Sequence, residues 1–206
     1  MKTRNVDSYA ELHRQRQYGN TAIRMRRFVE PWVQIDQPVS IIDYGAGQGR
    51  FVDIIDVPSL EVRHRYDPAI PDIATLRQDA YDFAVCIDVM EHLEPDEVAP
   101  VLDHIASLSG RAVFIVDTGL ARARLPDGRN AHTTVRPAPW WRTEIARAFG
   151  EAVPIPVFRR NRCAFKTYRS SPRAWAIYGA RLARAEAAHQ IWRLKGGRFE
   201  TPVSTR

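Results

Sequence analysis

Cysteine is scarce in this sequence. Cys86 and Cys163 are the two thiols in 206 residues, which excludes a disulfide framework and leaves both as reduced structural thiols in apolar surroundings. Long hydrophobic runs are missing as well. No stretch is long and apolar enough to span a bilayer, and Met1–Ser8 has no apolar signal region, so a cytoplasmic protein with no membrane partner is expected. Internal repeats and low-complexity tracts are absent. Acidic residues nearly vanish toward the C-terminal end. Residues 159–206 hold twelve Lys/Arg against only Glu186 and Glu200, whereas residues 1–158 carry a slight acidic excess. The formal net charge of +6 therefore belongs to the last quarter of the chain, and an anionic partner is implied for that part alone.

What is present is ordinary in bulk, 45% apolar and 26% charged, with enough length for one α/β domain and too little for two. One stretch organises it: Ile41-Ile42-Asp43-Tyr44-Gly45-Ala46-Gly47-Gln48-Gly49-Arg50. A β-branched pair ending in an acid marks the carboxyl end of a buried strand, and the glycines form a tight loop that a ligand can approach closely. A dinucleotide fingerprint would need its third glycine at position 50, where Arg50 stands, and no Gly-Lys-Ser/Thr follows for a phosphate loop. Binding of NAD is thereby disfavoured. What stands here instead is Asp-x-Gly-x-Gly-x-Gly, with Asp43 at the end of the strand.

In chain order, residues 5–20 read as polar and partly helical, with Gly19-Asn20 as a break. A helix follows Asn20, with Met25, Phe28, Val29 and Trp32 on one face and Pro31 weakening its end. Strand 39–43 leads through the glycine loop into a helix running to Pro58. Strand 61–67 ends in Asp67, twenty-four positions after Asp43, where a carboxylate can accept ribose hydroxyls. Between Pro71 and Tyr81 there is room for a short third strand, with Asp79 as the nearby acid. Phe83–Asp88 is a continuous apolar strand for the sheet centre. Pro95 opens a helix with Val98, Val101, Leu102, Ile105 and Leu108 on one side, and Ala112–Asp117 is the next strand. Residues 118–137 make a long connection of the kind that carries function. A helix from Pro139 to Phe149 and two late strands, 153–158 and 163–168, complete the domain. From Pro172 to Lys195 a helix carries Trp175, Tyr178, Leu182, Ala185, His189 and Trp192 along one seam flanked by arginines.

Taken together, Asp43-Tyr44-Gly45-Ala46-Gly47-Gln48-Gly49, Tyr66-Asp67-Pro68 and Asp88-Val89-Met90-Glu91-His92 resemble a class I S-adenosylmethionine-dependent methyltransferase domain over about residues 20–168. Tyr18-Gly19, Asp127–His132 and Trp140-Trp141 are similar to a small bacterial and phage-associated branch. The resemblance implies an α/β, Rossmann-like, doubly wound sheet of seven strands, mostly parallel with an antiparallel edge hairpin. It divides the chain into a lid segment (1–20), a methyltransferase domain (21–169) and a basic C-terminal helix and tail (170–206). S-adenosyl-L-methionine is the implied cofactor, held by Asp43, Tyr44, Gly45, Ala46, Gly47, Gly49, Asp67, Pro68, Asp88 and Val89. His92 and His132 are the candidate catalytic bases, and Tyr18, Arg129, Asn130 and Trp140 the candidate substrate-binding residues.

The acceptor is bounded only in part. There is no Asp/Asn-Pro-Pro-Tyr after strand 83–88, and no cysteine in a Pro-Cys loop, which argues against methylation of DNA bases at amino groups or at cytosine C5. A hydroxyl, carboxyl or amine on a small molecule, sugar or nucleotide remains. Glu91, His92 and His132 show no metal-ligand spacing, so no metal is expected. Two alternatives stay open: a nucleic-acid methyltransferase gripping phosphates through residues 159–206, and a non-catalytic binding module on the same fold. The aromatic seam requires a partner surface, either the catalytic domain or a second subunit in a homodimer.

Overall fold

The structure, a computed structural model, describes residues 3–15 and 20–197. Helix α1 (Val6–Gln15) and helix α2 (Asn20–Asp36) precede the sheet. Strand β1 (Ser40–Tyr44), a single helical turn α3 (Phe51–Ile54), β2 (Val62–Tyr66) and β3 (Phe83–Ile87) follow. Then come α4 (Val98–Leu108), β4 (Ala112–Asp117), α5 (Ala138–Phe149), β5 (Val153–Pro154), β6 (Arg162–Lys166) and α6 (Pro172–Leu194).

The sheet order is β2-β1-β3-β4-β6-β5. The first four strands are parallel and pair Ile42 with His64 and Ala84, and Val85 with Val113. Strand β6 runs antiparallel to β4, with Asp117 opposite Arg162, and β5 pairs antiparallel at the edge. The doubly wound α/β class and the antiparallel edge are as the sequence predicts. The strand count is not: among the described residues the sheet has six strands rather than seven. Residues 71–81 form a short 3-10 turn, Pro71–Ile73, and irregular chain instead of a third strand. The segment has no apolar alternation to bury, and Pro71 has no N–H to give a ladder. Helix α3 is likewise one turn long, not the expected helix to Pro58.

Two apolar clusters flank the sheet. On one face α2, α3 and α6 bury Phe28, Val29, Trp32, Phe51, Tyr178 and Leu182. On the other, α4 and α5 bury Val98, Leu102, Ile105, Trp141 and Ile145. Helix α2 continues past Pro31 to Asp36. The lost N–H and ring clash cost about 3 kcal/mol, and complete burial of Phe28, Trp32 and Val33 around the proline offsets that cost.

The aromatic seam of α6 docks on α2 within the same chain. Trp32 stacks on Tyr178 with ring centres 4.3 Å apart, and the Tyr178 hydroxyl donates to the Phe28 carbonyl at 3.2 Å. Arg27 Nε pairs with Glu186 at 2.5 Å. The seam's partner is therefore α2 of the same chain, so the seam gives no ground for a homodimer. Beneath it, buried Lys166 sets its ammonium 4.1 Å from the Trp32 ring centre and 4.0 Å from that of Tyr168, and burial lowers its pKa to about 8. No helix among the described residues is long and apolar enough to cross a membrane.

Candidate active site

The carboxyl ends of β1 to β4 open on a cleft of about 710 Å³, the place where open α/β sheets bind ligands. At its floor the glycine loop continues the parallel ladder one step past the strands: Gly45 and Ala46 N–H donate to the Tyr66 carbonyl at 2.7 and 3.1 Å. Gly45 has φ +77°, and a Cβ there would fall 2.4 Å from Val89 Cγ2. Only glycine fits both the backbone conformation and the neighbour. The loop and the segment after β3 are thereby locked face to face. Gly49 lies behind the cleft, its N–H closing the turn onto the Ala46 carbonyl at 3.0 Å.

Two acids face this loop. Asp43 is 2% exposed, and its Oδ2 meets no hydrogen-bond partner among the described residues. Burial first, and the charge of Asp67 second, push its pKa up to about 7, with Arg65 acting the other way. Asp67 is anchored by backbone: its Oδ2 accepts from Gly47 N–H and its Oδ1 from Ala69 N–H, both at 2.9 Å. Each oxygen keeps a second lone pair for a ligand hydroxyl.

Across the cleft, Asp88 holds a left-handed backbone at φ +56° while its N–H donates to the Ile115 carbonyl at 2.9 Å. Its carboxylate is gripped by the Arg162 guanidinium, which also reaches Asp117 Oδ2 at 3.2 Å. Burial lowers the Arg162 pKa, and two flanking carboxylates keep the guanidinium a coherent bridge between the ends of β3, β4 and β6.

His92, on the 3-10 turn Met90–His92, and His132, in the connection after β4, come together with ring centres 4.9 Å apart. The Nδ1 of His92 lies 2.9 Å from the Ala131 carbonyl and that of His132 lies 2.6 Å from the Gly119 carbonyl. A carbonyl only accepts, so both rings carry their proton on Nδ1 and their lone pair on Nε2 when neutral. Behind them Glu91 is fully buried. Its Oε1 accepts from Asp117 N–H at 3.0 Å, its Oε2 has no partner among the described residues, and burial pushes its pKa up to about 8. Glu91, His92 and His132 each offer a ligand atom within 4.8 Å of the others, a set able to hold a metal ion despite its lack of sequence spacing.

The cleft is lined by Asp43, Tyr44, Gly45, Ala46, Gly47, Asp67, Pro68, Asp88, Val89, His92 and His132, which were all singled out from sequence. Three candidate substrate residues lie elsewhere. Arg129 is held by Asp127 at 2.7 Å and Glu94 at 2.6 Å, on the outside of the long connection. Asn130 folds that connection, its Oδ1 accepting from Ala121 and His132 N–H at 3.0 and 2.9 Å. Trp140 packs edge-on against Trp141, 4.8 Å between ring centres. Tyr18 lies outside the described residues. Asp79 is exposed and away from the cleft.

Sequence reasoning missed Tyr9, Arg24 and Arg162, which do line the cleft. Tyr9 donates to the His92 and Ala131 carbonyls, at 3.0 and 2.7 Å, and desolvation carries its hydroxyl pKa well up. One signal was available for Arg162. An antiparallel hairpin after β4 brings the start of its second strand, rather than the end, to the ligand side of the sheet.

A family model described as a methyltransferase domain matches residues 12–149. Among curated proteins none matches. Among solved structures, the chain is similar to an O-methyltransferase family protein from Burkholderia thailandensis (17% identity, TM-score 0.50, 74% of this chain and 59% of that one). It is also similar to mitomycin 7-O-methyltransferase MmcR (13% identity, TM-score 0.53, 72% and 54%). The DhpI–SAH complex aligns at 14% identity and TM-score 0.51, over 82% of this chain and 98% of DhpI. The chain thus spans somewhat over half the length of the first two, and at these identities the likeness is one of fold. The family match runs from the end of α1 through α5 and takes in the glycine loop, both acidic strand ends and the histidine pair, and the chain belongs to that methyltransferase domain family, of the class I S-adenosylmethionine-dependent kind.

Proposed function

We propose that this chain transfers a methyl group from S-adenosylmethionine to an oxygen or nitrogen of a small molecule, a sugar or a nucleotide. The observation that carries the reading is the buried Asp43 carboxylate, with an unpartnered oxygen beside a loop of backbone N–H groups. Burying a carboxylate without a cation is costly, and the ammonium of a methionine moiety is a fitting counter-charge. Asp67 would take the ribose hydroxyls on its remaining lone pairs, with Pro68 and Val89 walling the adenosine. Bound there, the sulfonium supplies an activated methyl group, so the protein's task is to orient the acceptor and remove its proton. His92 and His132 present Nε2 lone pairs for that proton, with the His132 Nδ1–H fixed on the Gly119 carbonyl. Helix α1 covers this end of the cleft through Val6 and Tyr9.

Titration with S-adenosylhomocysteine at about 1 mM should raise the melting temperature by mass action on the folded state. No shift and no calorimetric binding would overturn the reading, and would leave the non-catalytic module in its place. A second reading of the same chemistry is favoured by the unpartnered Glu91 Oε2. A divalent ion on Glu91, His92 and His132 would lower the acceptor's pKa in place of a base. Single-turnover methyl transfer assayed with chelator and then with added Mg²⁺, Mn²⁺ or Zn²⁺ separates the two. Activity that survives chelation assigns the proton to a histidine.

A further inference from the structure

Beside the cleft lies a second hollow of about 530 Å³, between the start of α2, the turn before β6 and the last turns of α6. Arg24, Arg159, Arg162 and Arg193 converge on it, with His189 and Trp192 stacked as one wall, their ring centres 5.7 Å apart. Among the described residues no carboxylate lines it. Arg162 is held by Asp88 and Asp117 on the cleft side. Arg159 is different. Partial desolvation by its neighbours lowers its pKa, as do the guanidiniums of Arg27, Arg193 and Arg24, with Glu186 opposing. Like charges gathered in a concave wall are unfavourable in isolation and favourable around an anion. Guanidinium forks match phosphate oxygens in pairs.

The hollow is not separate from the site. Thr21, Arg24 and Arg162 line both it and the cleft, so one molecule can occupy the two together. Helix α6 supplies Trp192 and Arg193, and α2 supplies Thr21 and Arg24. The docking of the aromatic seam on α2 is what assembles the two arms of the hollow.

We propose that this arginine hollow binds a phosphate group of the methyl acceptor, so that the enzyme's substrate is a small phosphorylated molecule whose unphosphorylated end reaches into the cleft toward His92 and His132. The assignment rests on the methyltransferase reading above and narrows its acceptor. The basic C-terminal quarter then serves one compact anion and not a nucleic-acid backbone. Phosphate suits the hollow better than a carboxylate, because three oxygens can engage several converging guanidiniums at once.

The test uses the full chain and inorganic pyrophosphate as probe, with S-adenosylhomocysteine binding measured in parallel by calorimetry. Pyrophosphate should bind, and Arg159→Gln with Arg193→Gln should weaken it about tenfold or more, consistent with loss of charge-assisted hydrogen bonds. Both side chains are exposed, so folding should be retained, and S-adenosylhomocysteine affinity should be unchanged in the double variant. If S-adenosylhomocysteine binds but pyrophosphate does not at about 10 mM, or binds the double variant equally well, the anion site is overturned while the methyltransferase reading stands. If neither binds, the methyltransferase reading itself has failed. A single-stranded oligonucleotide that binds far more tightly than pyrophosphate, with a steep salt slope lost in the double variant, would overturn the small-acceptor assignment in favour of nucleic acid.

Discussion

The glycine-loop wall of the cleft hangs on backbone, whereas the opposite wall hangs on side chains. Gly45, Ala46, Gly47 and Ala69 all spend main-chain N–H groups on holding the loop and Asp67 in place. Opposite, the Tyr9 hydroxyl spans two carbonyls, Thr133 Oγ1 donates to the His92 carbonyl at 3.0 Å, and Arg162 ties two strand ends together. A wall made of main chain tolerates little variation and recognises one ligand. A wall made of side-chain ties can be rebuilt residue by residue, which suits it to acceptor choice.

Substitutions that strike one wall alone should sharpen this division. The largest effect is expected from His132→Ala. It should lower kcat by about 10²–10⁴, the usual worth of a positioned proton-transfer group, while S-adenosylhomocysteine affinity stays at the wild-type value. An affinity loss matching the rate loss would show that the two walls are not independent. Asp67→Ala is the converse. The charge-assisted bonds to the Gly47 and Ala69 N–H groups and the ribose contacts disappear together, so S-adenosylhomocysteine affinity should fall by about 100-fold or more with pyrophosphate affinity unaffected.

The smallest effect concerns pH. Asp43, raised to about 7 by burial, is protonated below that pH in the free protein, and a cationic ligand binds its carboxylate form. Binding below pH 7 must therefore release a proton. S-adenosylhomocysteine affinity should be level above that pH and fall by about tenfold per unit below it, by proton linkage. Calorimetry in two buffers of different ionisation enthalpy reads the proton directly. A flat profile from pH 5 to 8 would place the ammonium away from Asp43, and Asp43→Asn should abolish the dependence.

The same contrast explains what the sequence made legible. Asp43, the glycines and Asp67 lie within one βαβ unit, where strand ends and loop spacing are local consequences of hydrophobic pattern and backbone permissiveness. The doubly wound class followed from the apolar runs at 83–88 and 112–117. The Tyr9 contacts join residues 83 and 122 positions apart, and no local periodicity encodes them. Arg129 and Asn130 were drawn to the site by their chemistry, yet they serve the loop's own folding, a use of Asp, Asn and Arg in long connections that composition cannot distinguish from ligand binding. The missing third strand was a matter of counting from a family pattern across a segment with no apolar alternation. The fit of Glu91 behind the two histidines needed the fold, because the partners sit forty positions apart on separate connections.

The reversed direction of β6 has a consequence for the rim of the sheet. Every parallel strand delivers an acid near its ligand-side end: Asp43, Asp67, Asp88 and Asp117. Had the final strand run parallel, its ligand-side residue would have been Lys166, and Arg162 would have faced the far side. Running backward, it presents its first residue instead, and Asp117 meets Arg162 in register. The topology thus inverts the sign of one rim position. It inserts a cation among four carboxylates and sets the boundary at which the cleft changes from a seat for a positive ligand to a seat for a negative one.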